Sequence, residues 1–346
     1  MELNLHTAGS GLFETHISWE DIEQRIQSER KLKVSFGPKK NAHQIGDGNG
    51  FMSRIGVIDA DFQGEVDGLP SKFVVKMVCV LAGMEIAESV KDRHFDENAD
   101  IQEIFDGFDV NVRNLHNREV NVYRVFSRFD NSISKMPQVY FAQGFEEENV
   151  LKGFIGMEWV ENLELRHIFH NVTPKELSDW SHIIVRRPEL RQLTCIKRTS
   201  RRQMNGSGEF HYRCGDYEET TNKFSYALRA LAYLEAKSLE LSDEEKRKVA
   251  SNPVPIIYPP MMHPSAVSKM FHDMYTASEE LRPSGEVLEK MAKELPLLEM
   301  TSTMNEELGM KDVFIHGDLW SANLMWNKTE NGVQLSRIID YQVIPY

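Results

Sequence analysis

The feature that most constrains this chain lies near its C-terminal end. Residues 313–315 form a short apolar run, read as a buried strand, that delivers His316-Gly317-Asp318 into a loop. Asn323 follows Asp318 by five positions, and a second apolar run, 324–326, comes at once. A third run, 335–339, ends on Asp340. Two carboxylates and a carboxamide thereby fall at the ends of short β segments in one compact unit. Phosphoryl transfer from a nucleotide uses such a set. One carboxylate orients an attacking hydroxyl and accepts its proton, while a carboxamide and a second carboxylate hold Mg²⁺ on the phosphates. Singly, each residue is an ordinary solvated loop residue; the joint spacing carries the signal.

The order His316-x-Asp318, Asn323, then a strand and Asp340 is similar to the catalytic loop and metal-binding Asp of the protein-kinase-like superfamily. The spelling HGDLWSANLMW…IIDYQ resembles more narrowly the CHK, or ecdysteroid kinase-like, family of small-molecule kinases, relatives of choline kinases and aminoglycoside phosphotransferases. Gly317 stands where protein kinases carry Arg, and Tyr341-Gln342 where they carry Phe-Gly. Tyr341 also replaces a Trp expected in the narrower family. The resemblance implies a two-lobed α+β, protein-kinase-like fold. Its nucleotide-binding N-lobe, residues 1–160, would be an antiparallel sheet plus a helix. The mainly helical C-lobe, residues 161–346, would carry the catalytic and metal-binding loop. The resemblance further implies Asp318 as catalytic base, His316 as a brace of the loop through a hydrogen bond, and Asn323 and Asp340 as Mg²⁺ ligands. ATP would be the donor. The acceptor would be a small-molecule hydroxyl on a steroid (ecdysteroid-like), choline-like or xenobiotic alcohol.

Composition narrows the setting. A chain of 346 residues is long enough for two lobes and a sizeable core. A formal net charge of −13 argues against nucleic acid or an anionic membrane as the main partner. Cys79, Cys195 and Cys214 make no disulfide framework, which points to a reducing compartment. The N-terminus lacks the basic region and apolar core of a signal peptide, and no apolar run approaches a membrane span. A cytoplasmic protein is expected.

Along the chain, Ser18 reads as the N-cap of a helix running to about Glu29, with 32–36 as a strand after it. Gly46, Gly48 and Gly50 sit between two β segments, in a turn that can bring backbone N–H groups to phosphate oxygens. The resemblance makes Gly46, Gly48, Gly50, Phe51, Met52 and Ser53 the nucleotide-covering loop. Strand 69–80 places Lys76 in an apolar β-branched run, where an unpaired ammonium is costly. It needs an anion or a route to water. The resemblance supplies the nucleotide phosphates and Glu119, on a helix beginning near His116. Residues 85–109 are acidic and poorly patterned, a loop or weak helix. Strands 137–142 and 151–160 follow, and the second is expected to end at a hinge where backbone groups of Glu158 to Val160 meet an adenine edge.

Thr173-Pro174 has the form of a helix start. From 181 to 223 no period is visible, and arginines cluster although the chain is acidic. Relatives run almost directly from a helix like 173–180 into one like 224–241, so 181–223 is read as an interruption, a surface insertion or translated non-coding sequence. Phe224, Ala227, Leu228, Leu231 and Leu234 are expected on one face of that second helix. Further helices are expected over 267–276 and 287–298. The chain stops six residues after Asp340, where similar kinases continue with helices, so the C-lobe is expected to be incomplete. Two other readings stand beside the enzyme. One is a non-catalytic pseudokinase or binding module, favoured by the insertion and the early stop. The other is a nucleic-acid binder using the arginine cluster.

Overall fold

Ser18 starts the first helix in the way its sequence demands. Its side chain accepts from the Asp21 backbone while Asp21 accepts from the Ser18 backbone, a reciprocal capping box at the head of α1 (Trp19–Arg30). The computed structural model describes residues 4–46, 51–89, 101–164, 215–249, 264–276, 279–294, 304–329 and 332–342. Within them the fold is mixed α+β and of the two-lobed, protein-kinase-like type. Strands β1 (Val34–Phe36) and β4 (Phe62–Gly64) pair in a small antiparallel ribbon. A five-stranded sheet contains β2 (Asn41–Ile45), β3 (Ser53–Asp59), β5 (Lys72–Val78), β6 (Val139–Gln143) and β7 (Phe154–Glu158). Its order is β2-β3-β5-β7-β6, antiparallel throughout.

Period-two alternation in β5 explains how a lysine enters a core. Phe73, Val75 and Met77 join a buried cluster with Ile22 and Ile26 of α1. Burying each of those isoleucines contributes roughly 1.5–3 kcal/mol. Lys76 lies between Val75 and Met77 and so faces the opposite side of the sheet. That side is covered by α3 (Ile101–Phe126), which follows the shorter α2 (Leu81–Ser89). Gly156 of β7 lies under the Phe141 ring, where a Cβ would come within 2.1 Å of a ring carbon.

β7 leads through 159–162 to β8 (Leu163–Glu164), which starts a second antiparallel sheet with β9 (Leu324–Thr329) and β10 (Gly332–Ile338). Helices α4 (Gly215–Ser238) and α5 (Asp243–Val249) follow in the chain, then α6 (Pro264–Thr276) and α7 (Arg282–Glu294). One core cluster joins these parts. It contains Tyr123 and Phe126 of α3, Ile155 of β7, Ala227, Ala230 and Leu234 of α4, and Phe314, Trp326 and Tyr341.

Several local expectations need correction. Residues 313–315 are not a strand: Phe314 is buried but Ile315 is 41% exposed. The segment is held by Ser238, whose hydroxyl accepts from the Phe314 backbone at 2.9 Å. The stretch 85–109, expected as loop or weak helix, is helix at its described residues: α2 reaches Ser89 and α3 is already helical from Ile101. The last residues of 181–223 are helical too, since α4 begins at Gly215. Within α4 the buried stripe uses Ala227, Ala230 and Leu234, whereas Leu228 is exposed. Thr173-Pro174, the arginine cluster, Cys195 and Cys214 lie outside the described residues.

Candidate active site

Two elements far apart in the chain converge on Lys76. Asn117 first fixes α3 against the β6–β7 connection: its side chain accepts from the Phe145 backbone N–H (2.7 Å) and donates to the Phe145 carbonyl (3.0 Å). Two positions on, Glu119 is fully buried and accepts a 2.7 Å ion-paired hydrogen bond from Lys76 Nζ. Lys76 Nζ makes a second such contact, also 2.7 Å, with Asp340 Oδ1 beyond the end of β10. Gln342 Oε1 lies 3.4 Å from the same nitrogen. Burial would pull the Lys76 pKa down, but Asp340 and Glu119 overcome it and hold the ammonium charged. Burial dominates at Glu119 and raises its pKa.

Asp340 is reached by a strained route. Its φ of 70° is in the left-handed region, unusual for a residue with a side chain. The loop before β9 grips the same segment. The Ile339 backbone N–H donates to the Asn323 carbonyl (3.0 Å), and His316 Nε2 donates to the Ile339 carbonyl (2.9 Å). That bond fixes the proton on Nε2, and burial holds the His316 pKa low. Asn323 Nδ2 donates to the Asp318 carbonyl (2.9 Å) and to its carboxylate (3.3 Å). Burial, with the Asp340 charge adding to it, raises the Asp318 pKa.

A cavity of about 870 Å³ opens between the two sheets over this cluster. Gly46, Ser53, Lys76, Glu119, Glu158, Val160, Asn323 and Asp340 are all on its wall. Ile45, Val74, Met157, Leu163, Met325 and Ile339 add an apolar slot beside the polar group. Two positions of the expected loop stay off the wall. Phe51 is 53% exposed, and Met52 packs on the cluster of Leu5, Val78 and Val80; neither lines the cavity. Glu158 commits its backbone N–H to the Gln138 carbonyl, so that N–H is not offered to a ligand edge. Gly48 and Gly50 lie outside the described residues. Asp318 and His316 are not on the cavity wall; Asn323 joins Asp318 to it.

Sequence reasoning missed Arg337 and Gln342. Arg337 forms a two-pronged ion pair with Glu158, and both residues line the cavity. No local pattern announces such a contact, because its partners are 179 positions apart. Among the described residues no helix is long and apolar enough to cross a membrane.

Comparison with known proteins adds two findings. The chain is similar to "Uncharacterized kinase-like protein D1044.1" of Caenorhabditis elegans, 33% identical over 119 residues. That match covers 33% of this chain and 29% of the relative, so the chain spans under a third of the relative's length. The chain also matches a family profile described as "Uncharacterized oxidoreductase dhs-27", over residues 5–186 and 214–346. The unmatched residues, 187–213, fall inside the 181–223 stretch. With the profile covering most of its length, the chain belongs to the DUF1679 family, so described.

Proposed function

We propose that this chain is an ATP-dependent phosphotransferase of the CHK, or ecdysteroid kinase-like, type, acting on the hydroxyl of a small molecule in the cytoplasm. The observation that carries the reading is the convergence of Glu119 and Asp340 on a buried Lys76 at the wall of a cavity with an apolar slot. Lys76 is a fixed positive charge for nucleotide phosphates, with Glu119 setting its direction. The Glu158 carbonyl and the backbone of Val160 offer hydrogen-bonding edges for a base in the slot. Asp318 accepts the proton of the acceptor hydroxyl as its oxygen bonds to the γ-phosphorus and the bond to the β-phosphate oxygen breaks.

The donor set fits Mg²⁺. Asp340 supplies a carboxylate, and Asn323, whose Nδ2 is committed to Asp318, supplies a carboxamide oxygen. Mg²⁺ is commonly held by one or two such oxygen ligands together with substrate phosphates, and when bound it neutralises charge on those phosphates. His316 holds the Ile339 carbonyl and so the approach to Asp340.

The word oxidoreductase in the family's description finds little support in this sheet. Dinucleotide-binding folds use parallel βαβ units, whereas the strand pairs here are antiparallel. The test is ATP consumption by the purified protein against steroid, choline-like and xenobiotic alcohols, with Asp318→Ala alongside. Turnover with one acceptor, reduced about a hundred- to ten-thousandfold in Asp318→Ala, is expected. Mg²⁺-dependent ATP binding without turnover would make the chain a binding module. Binding of NADH in place of ATP would overturn the reading.

A further inference from the structure

We infer that the Tyr123 hydroxyl is a positioning group that orients Glu119, the partner of Lys76, and through Lys76 the carboxylate of Asp340. The inference rests on the phosphotransferase reading for its functional meaning, but the contact itself is independent of it. Tyr123 lies one helical turn after Glu119 on α3 and is almost wholly buried. Its O–H donates to Glu119 Oε1 at 3.3 Å, while Lys76 takes Oε2 at 2.7 Å. The two oxygens of a fully buried carboxylate are thus held from two directions. A carboxylate gripped at one oxygen can swing; gripped at both, it is oriented. The Tyr123 ring stands edge-on to Tyr341, the residue after Asp340, with centroids 5.8 Å apart.

Asp340 needs such support. Its backbone is in the left-handed region, and conformations of this kind persist only when the surroundings over-determine them. Tyr123 touches this segment by its ring and Glu119 by its hydroxyl. The hydroxyl therefore acts through Glu119 on where Lys76 sits, and through Lys76 on the Asp340 carboxylate, without contacting the reacting atoms. Phe at this position keeps the ring packing and removes only the oxygen.

The experiment uses the full chain in two arms. In the unliganded protein, a double-mutant cycle of Tyr123→Phe with Glu119→Leu is measured by urea denaturation. Non-additive effects are expected, because the two groups share one hydrogen bond; additive effects would overturn the contact. In the second arm, calorimetry compares Mg·ATP with metal-free ATP. Tyr123→Phe is expected to weaken Mg·ATP binding by about tenfold, the size of one buried hydrogen bond to a charged group, and metal-free ATP less. Tyr123→Leu, which removes ring and hydroxyl, is the second variant. Loss of the Mg²⁺-dependent part in both supports the hydroxyl, whereas loss in Leu alone assigns the role to packing and overturns the inference. If the wild-type chain binds no Mg·ATP, the phosphotransferase reading and the positioning role fall together, and the cycle still decides the contact.

Discussion

Lys76 shows how much a single residue can reveal and where it stops. A lysine in an apolar β-branched strand requires a counter-charge, and that much follows from local sequence. Its partners are 43 and 264 positions away, so their identity does not. Glu119 is one of several acids on its helix, and only the resemblance singles it out. Asp318, Asn323 and Asp340 are legible because their spacing is short and lies between apolar runs. Gln342 and Arg337 act through tertiary contacts that no periodicity encodes, whereas Tyr123 stands one turn from Glu119 on the same helix. The energetic consequence can be measured at Lys76. Replacing it with Met leaves Glu119 buried without its cation, and breaking a buried pair in this way costs about 3–5 kcal/mol. Urea denaturation of Lys76→Met should show that loss, with partial recovery in Lys76→Met/Glu119→Gln. Unchanged stability would mean the ion pair is not part of the folded core.

At the scale of elements, capping chemistry and alternation are the most legible signals, and tertiary compensation is the least. Ser18 and Asp21 announce α1, and the β5 pattern announces a strand. On composition the acidic stretch before His116 reads as loop or at most weak helix, and α3 runs as a full helix from Ile101. Asp109 shows why: it is buried on α3 and its carboxylate accepts from the Leu5 backbone (2.9 Å), a partner 104 positions away. The converse error is 313–315, where an apolar run suggests a strand but no ladder forms and Ser238 holds the backbone instead. α3 also carries a pH-dependent anchor. His116 donates from Nε2 to the Gln143 carbonyl of β6 (2.8 Å), and burial lowers its pKa from 6.5 to about 4. Between those values the unfolded chain binds the extra proton and the folded one does not, so stability rises with pH across that window. It is fully present above pH 6.5 and is lost on acidification, by about 2 kcal/mol at pH 5. Thermal melts of His116→Gln should show a flatter profile between pH 4 and 6.5 than the wild type; parallel profiles would contradict the assignment.

For the whole molecule, the two antiparallel sheets meet at one cavity, and the cluster that joins them is aromatic. Phe126 of α3 packs on Phe314 at 4.7 Å between centroids, and His316 on Tyr341 at 4.7 Å. The helix that presents Glu119 and the loop that presents Asp318 therefore share one core. The Glu158–Arg337 pair adds a polar tie between β7 and β10 across the same cavity. This architecture brings residues from both sheets to one cavity, and the proposed phosphate site there leads to the most direct test. Calorimetric titration of the purified chain with ATP should give saturable binding that needs Mg²⁺. Binding should persist in Asp318→Ala and lose its Mg²⁺ dependence in Asp340→Ala. ATP binding indifferent to Mg²⁺ and to Asp340, or no ATP binding by the wild-type chain, would contradict the account.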